Sequence, residues 1–169
     1  MRIALDTPAR DDVRRLLDEH LTDMYATSPA ESVHALDHTA LLAATVTFWT
    51  ARDDDGVLLG CGALSELSGA GDVPHGEIKS MRTATTARGR GVASAVLTTI
   101  LAEARRRAYH RVSLETGTQD YFAPARRLYA RHGFTECGPF GAYVPDPHST
   151  FMTLRLVPAP LSADAPAAP

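Results

Sequence analysis

Residues 83–108 read TATTARGRGVASAVLTTILAEARRRA. Two glycines, Gly89 and Gly91, stand among arginines and run straight into an apolar-periodic segment. Val92, Val96, Leu97, Ile100, Leu101, Ala104 and Ala108 form one stripe, with Ser94, Thr98, Glu103 and Arg105 to Arg107 mostly opposite. That spacing predicts an amphipathic helix beginning just after Gly91. A helix start presents about four unpaired N–H groups and the positive end of its dipole, so it attracts anions. Glycine lets the backbone take φ > 0 and come close to a phosphate. Arg88 and Arg90 would add forked donors for phosphate oxygens. A pyrophosphate would satisfy these donors. A plain helix start with two solvated arginines fits this stretch as well, and both readings stay open here.

Outward from this turn, EIKSMRT (Glu77 to Thr83) reads as a strand. Ahead of it, TVTFWTAR and VLLGCGALSEL flank DDDG, which predicts a hairpin turning at Asp53 to Gly56. Phe48 and Trp49 are expected to alternate between core and surface in its first strand. Asp11 and Asp12 open a helix through VRRLLDEHLTDMY, with Val13, Leu16, Leu17, Leu21 and Met24 at helical spacing. A shorter helical patch covers AESVHALD, and GAGDVPHG is a loop by composition. Downstream come a strand, RVSLET, and a helix in YFAPARRLYARHGF, with Pro124 in its first turn and Gly133 as its stop. FTECG and TFMTLRLV make a last strand pair around the loop PFGAYVPDPHS. The order predicts an α/β (α+β) fold, one domain over residues 1–157 with a mixed central sheet flanked by helices. The Pro/Ala-rich segment 158–169 is expected to be a disordered tail.

Bulk properties remove several classes. A net charge of −3 speaks against a nucleic-acid partner. No apolar run reaches the roughly 18–20 residues of a membrane span. MRIALDTPAR lacks the apolar core of a signal peptide, so a cytoplasmic location is expected. Cys61 and Cys137 match no metal or redox spacing and are expected to be free thiols. His75 and His110 show no ligand spacing, so no metal is expected. Among phosphate loops, a P-loop needs Gly-Lys-Ser/Thr, which is absent. A dinucleotide turn would want glycine where Ser94 stands, although Glu115 falls where a ribose-binding acid could sit. The turn comes mid-chain and well past its strand, which leaves an NAD(P)-dependent oxidoreductase the weaker alternative.

Two signatures occur in order: Arg88-Gly89-Arg90-Gly91-Val92-Ala93, then Ala125-Arg126-Arg127-Leu128-Tyr129-Ala130-Arg131-His132-Gly133-Phe134. Separated by a strand, they resemble the Q/R-x-x-G-x-G/A and A-x-x-L-Y-x-x-x-G-F patterns of the GNAT superfamily of N-acetyltransferases. The resemblance spans roughly residues 1 to 156 and is most specific from Glu77 onward. LETG, FAPARRLYARHGFTECGPFGAY and DPHSTFM are similar to a bacterial subgroup labelled N-acetyltransferases, some of them indole-acetic-acid acetyltransferases.

The resemblance implies acetyl-CoA bound in a V-shaped opening between two splayed parallel strands, here EIKSMRT and RVSLET. Backbone near Met81 and Thr83 would hold the pantetheine and the thioester carbonyl, and amides of Arg88, Gly89, Arg90, Gly91, Val92, Ala93 and Ser94 the pyrophosphate. Tyr129 would be the general acid for the departing thiolate, since a phenol with a reference pKa of about 10 can return a proton to it. Glu77, opening the strand beside the acyl site, is the first candidate base, and Glu115 the second. Ser32, His34, Glu115 and Tyr143 are candidates to line the acceptor pocket. Phe122 departs from the family's asparagine three residues before Ala125, so some cofactor contact must differ. The expected function is direct acetyl transfer to a small-molecule amine, without an acyl-enzyme. The alternative is a non-catalytic acyl-CoA sensor, and a homodimer fits the superfamily's frequent assembly.

Overall fold

The computed structural model describes residues 1–29, 39–67 and 73–156. The expected hairpin is present: Val46–Arg52 (β2) and Leu58–Glu66 (β3) pair antiparallel. Asp53 closes its turn, with Oδ1 accepting from the amides of Asp55 and Val57, as a side chain that imitates a backbone turn does. One strand carried no signal in the sequence: Arg2–Leu5 (β1) pairs antiparallel with β2. Four residues are too few for periodicity to register.

His75–Thr83 (β4) begins two residues before Glu77 and follows β3 antiparallel. Arg111–Gly117 (β5), Thr135–Cys137 (β6) and Ser149–Arg155 (β7) complete one seven-stranded sheet, ordered β1-β2-β3-β4-β5-β7-β6. Every neighbouring pair is antiparallel except β4 and β5. Those two run parallel but are registered only at His75–Arg111, Gly76–Val112 and Glu77–Ser113. Beyond Glu77 they separate. Ser80 in β4 takes a left-handed φ of 51°, and the β3–β4 register slips between Cys61 and Ala63. Such a bulge re-aims a strand, and here it helps β4 leave β5.

Helices cover both faces. Val92–Arg106 (α2) buries Val92, Val96, Leu97, Ile100, Leu101 and Ala104 in one cluster with Trp49, Leu64, Val112, Leu114 and Tyr129. Ala108, placed on that stripe by spacing, lies past the helix end at φ 55°. Asp11–Thr27 (α1) buries Val13, Leu16 and Leu17 on the other face against Phe48, Cys61 and Ala63. Phe48 and Trp49 therefore do not alternate between core and surface: both are buried, on opposite faces, because both faces are covered. Each side chain so buried contributes about 1.5–3 kcal/mol. Ala123–Arg131 (α3) carries Pro124 at its start and ends before Gly133, at φ 89°. Both cysteines are free, and burial pushes the Cys61 thiol up to about 12. Among the described residues no helix is long and apolar enough to cross a membrane. The helical patch expected at 30–37 and the tail expected at 158–169 lie outside the described residues.

Candidate active site

A groove of about 650 Å³ runs from the end of β4 along α3 to the start of α2. Met81, Thr83, Arg88, Gly89, Gly91, Val92, Ala93 and Ser94 line it together, so eight of the nine residues expected at the cofactor share one surface. Arg90 is exposed and lies off the lining. The first helical bond of α2 runs from the Ala95 N–H to the Gly91 carbonyl, which leaves the amides of Val92, Ala93 and Ser94 ahead of the ladder. Gly89 and Gly91 sit at φ 76° and 78° with open space where a Cβ would stand. Backbone conformation, not crowding, is what demands glycine there. Ser94 Oγ meets His132 Nε2 at 2.8 Å, bracing the start of α2 against the end of α3.

A smaller cavity of about 90 Å³ adjoins the groove, with Lys79, Glu115, Thr116 and Tyr143 on its walls. His20, Met81, Phe122, Ala125 and Tyr129 line both spaces and so mark their junction. Tyr129 is buried and packs edge-on against Phe134. Burial, reinforced by the Glu115 carboxylate, pushes its phenol well above the ordinary range, so it stays protonated. Phe122 is buried against Gly117, where any Cβ would overlap its ring. The position therefore presents an apolar wall to the groove, without the polar group asparagine would bring.

Glu77 is buried and does not line the cavity. Its Oε1 accepts from the Tyr143 hydroxyl at 2.6 Å and pairs with Lys79 Nζ at 2.8 Å. Lys79 also donates to the Tyr143 hydroxyl, and it is these two side chains that face the cavity. Phe140 and Phe151 hold the Tyr143 ring, with centroids at 5.1 and 5.4 Å. Burial, then the Glu77 charge, raises the Tyr143 phenol far above its usual value. Glu115, on β5, accepts from Ser149 Oγ at 2.7 Å. Tyr143 and Glu115 thus share the wall of one cavity, while Ser32 and His34 lie outside the described residues.

Three features had no counterpart in the sequence reading. Lys79, the chain's single lysine, shares its strand with Glu77 two residues away, which puts both on one face. His20 falls between Leu16 and Met24 at steps of four; a polar residue on an apolar helical stripe was the available signal. Arg82, Asp23 and Tyr121 form a closed triangle: Arg82 reaches Asp23 at 2.6 Å and Tyr121 at 3.0 Å, and Tyr121 donates to Asp23 at 2.7 Å. Its members lie up to 98 positions apart, so no local pattern reveals it.

Comparisons with known proteins agree with this geometry. The model of the acetyltransferase (GNAT) family matches residues 11–134. An uncharacterized N-acetyltransferase of Bacillus subtilis (strain 168), YsnE, is 48% identical over 92% of this chain and all of its own. The IAA acetyltransferase of Azospirillum brasilense is 40% identical over 89% of this chain and 94% of its own. In fold, an acetyltransferase of Bacillus subtilis solved in complex with CoA superposes with a TM-score of 0.66, covering 92% of this chain and 99% of that one at 16% identity. A groove ending at a glycine-built helix start, a tyrosine at its inner end and full-length likeness to curated N-acetyltransferases lead to one conclusion: the chain belongs to the GNAT family of acetyltransferases.

Proposed function

We propose that the protein transfers the acetyl group of acetyl-CoA directly to the amine of a small molecule, in the cytoplasm. The observation that carries this is the place of Tyr129, on the wall shared by the long groove and the small cavity. The groove suits an extended donor: amides of Val92, Ala93 and Ser94, with Arg88, take the pyrophosphate, and the free edge of β4 from Met81 to Thr83 takes the pantetheine. The cavity is small, which suits a compact acceptor.

The chemistry divides between two hydroxyls. As the amine nitrogen attacks the acetyl carbon, its proton passes to Tyr143, whose own proton moves along the 2.6 Å hydrogen bond to Glu77 Oε1. Glu77 therefore acts as base through Tyr143 without touching the acceptor. As the carbon–sulfur bond breaks, Tyr129 gives its proton to the thiolate, and solvent returns a proton from Glu77 to Tyr129. Burial of Tyr129 keeps that proton in place until the thiolate forms.

Thermal stabilisation by acetyl-CoA, set against NAD(P)H, followed by an amine panel scored by thiol release, tests this reading. Acetyl-CoA should raise Tm and NAD(P)H should not. Absence of any acetyl-CoA effect would overturn the proposal, and stabilisation with no thiol release from any amine would mark an acyl-CoA-binding module instead.

A further inference from the structure

If an attacking amine gives its proton to Tyr143, the acceptor nitrogen must come within hydrogen-bond reach of that hydroxyl. A nitrogen of the chain already stands there. Lys79 Nζ lies 2.5 Å from the Tyr143 hydroxyl and 2.8 Å from Glu77 Oε1, so it touches both groups of the proton relay. Its side chain is 12% exposed and lines the small cavity, which Tyr129 also borders. Lys79 is the only lysine in the sequence.

We propose that Lys79 is itself an acetyl acceptor: with acetyl-CoA in the groove and no amine in the cavity, the protein acetylates its own Nζ. The inference rests on the acetyl-transfer reading above. Nζ starts as an ammonium held by Glu77. It yields one proton to Glu77 Oε1 and attacks the thioester carbon as an amine. The carbon–nitrogen bond forms, the carbon–sulfur bond breaks, and Tyr129 gives its proton to the thiolate. Nζ sheds a second proton through Tyr143 to solvent, solvent reprotonates Tyr129, and Glu77 later releases its own. Ammonium and thioester thus become amide and thiol, with one proton released and no change of oxidation state.

A diffusing amine reaches Glu77 only through Tyr143, whereas Lys79 touches it directly. The same ion pair keeps Nζ charged most of the time, so an uncharged amine in the cavity reacts first. Lys79 reacts when none is there. An amide does not pass its acetyl group on, so the product is an end state and not an acyl-enzyme. It also removes the cation that pairs with Glu77.

Protein incubated with acetyl-CoA alone makes the test, read by tandem mass spectrometry with the terminal amine of Met1 as internal reference. Lys79 should gain one acetyl group about tenfold or more faster than Met1, because a held amine reacts at high effective concentration. Its first-order rate constant should not change on dilution of the protein, and thiol release should stop at one equivalent per chain. Free CoA, competing for the groove, should slow the labelling of Lys79 and leave that of Met1 unaltered. Tyr129→Phe should slow Lys79 labelling about 10²-fold with acetyl-CoA Kd unchanged. In urea the lead of Lys79 over Met1 should vanish. An unmodified Lys79, labelling no faster than that of Met1, or labelling indifferent to free CoA would each overturn the proposal. Thiol release from an added amine while Lys79 stays unmodified would remove self-acetylation and leave acetyl transfer standing. Acetyl-CoA that fails to bind wild type would instead sink the acetyl-transfer reading beneath it.

Discussion

The long groove and the small cavity share a wall yet are built from different materials. The groove's anion-facing end is backbone: two left-handed glycines and the first amides of α2, beside the free edge of β4. The neighbouring cavity takes its polar groups from side chains delivered from α1, β4, β5 and the loop before β7: His20, Lys79, Glu115 and Tyr143. A backbone cradle must be written in consecutive residues, because conformation is a local property. A side-chain pocket has no such requirement. One half of the site can therefore be read along the chain, and the other only across it.

Tyr129→Phe breaks the partition most severely, since Tyr129 belongs to both halves. Thiol-release assays should show kcat lowered about 10²–10⁴-fold, with acetyl-CoA Kd by calorimetry unchanged. Undiminished turnover would retire the acid role. Next in size is Gly91→Val, which forces a β-branched residue to φ 78°. The strain, about 1–3 kcal/mol, should weaken acetyl-CoA binding about tenfold or more while far-UV circular dichroism still reports a folded chain. Retained affinity would mean the turn does not hold the pyrophosphate.

The arginines sharpen the comparison further. Arg88 lines the groove and Arg90 does not, although the sequence weights them alike. Arg88→Ala should weaken acetyl-CoA by a few-fold, more at low salt than at high, and Arg90→Ala should leave it unaltered. Equal losses would put the anion elsewhere. The smallest effect lies outside both halves. Hydrogen bonding from Arg52 to Asp12 lowers that carboxyl from 3.8 to about 2. A depressed folded pKa stabilises above the unfolded value, so this contribution is present above about pH 4 and lost as pH falls through 2. After solvent screening it amounts to about 1 kcal/mol. Acid unfolding of Asp12→Asn should be flatter over that window; a curve parallel to wild type would show the pair contributes nothing.

Legibility followed the same division. Periodicity revealed α1, α2 and the hairpin because each satisfies its backbone locally, and the stretches Arg88 to Ala93 and Ala125 to Phe134 both contribute residues to the lining of the groove. β1 was hidden by its length, and Trp49 by the assumption of a one-sided sheet. Glu77 is the first candidate base by its place on the strand beside the acyl site, and the structure puts Lys79 and Tyr143 between it and the cavity. Nothing in EIKSMRT foretells Tyr143, 66 positions away. His20 needed the fold to show that its apolar stripe passes over an opening, not over core.

The Arg82–Asp23–Tyr121 triangle joins α1, β4 and the turn at Asp120–Phe122. Arg82 and Tyr121 both border the groove, so the triangle works as a tie-beam between its banks. The span is fixed by charge-assisted bonds within the chain itself. A donor bound in this groove would meet a slot already cut to size, with no affinity lost to drawing the banks together.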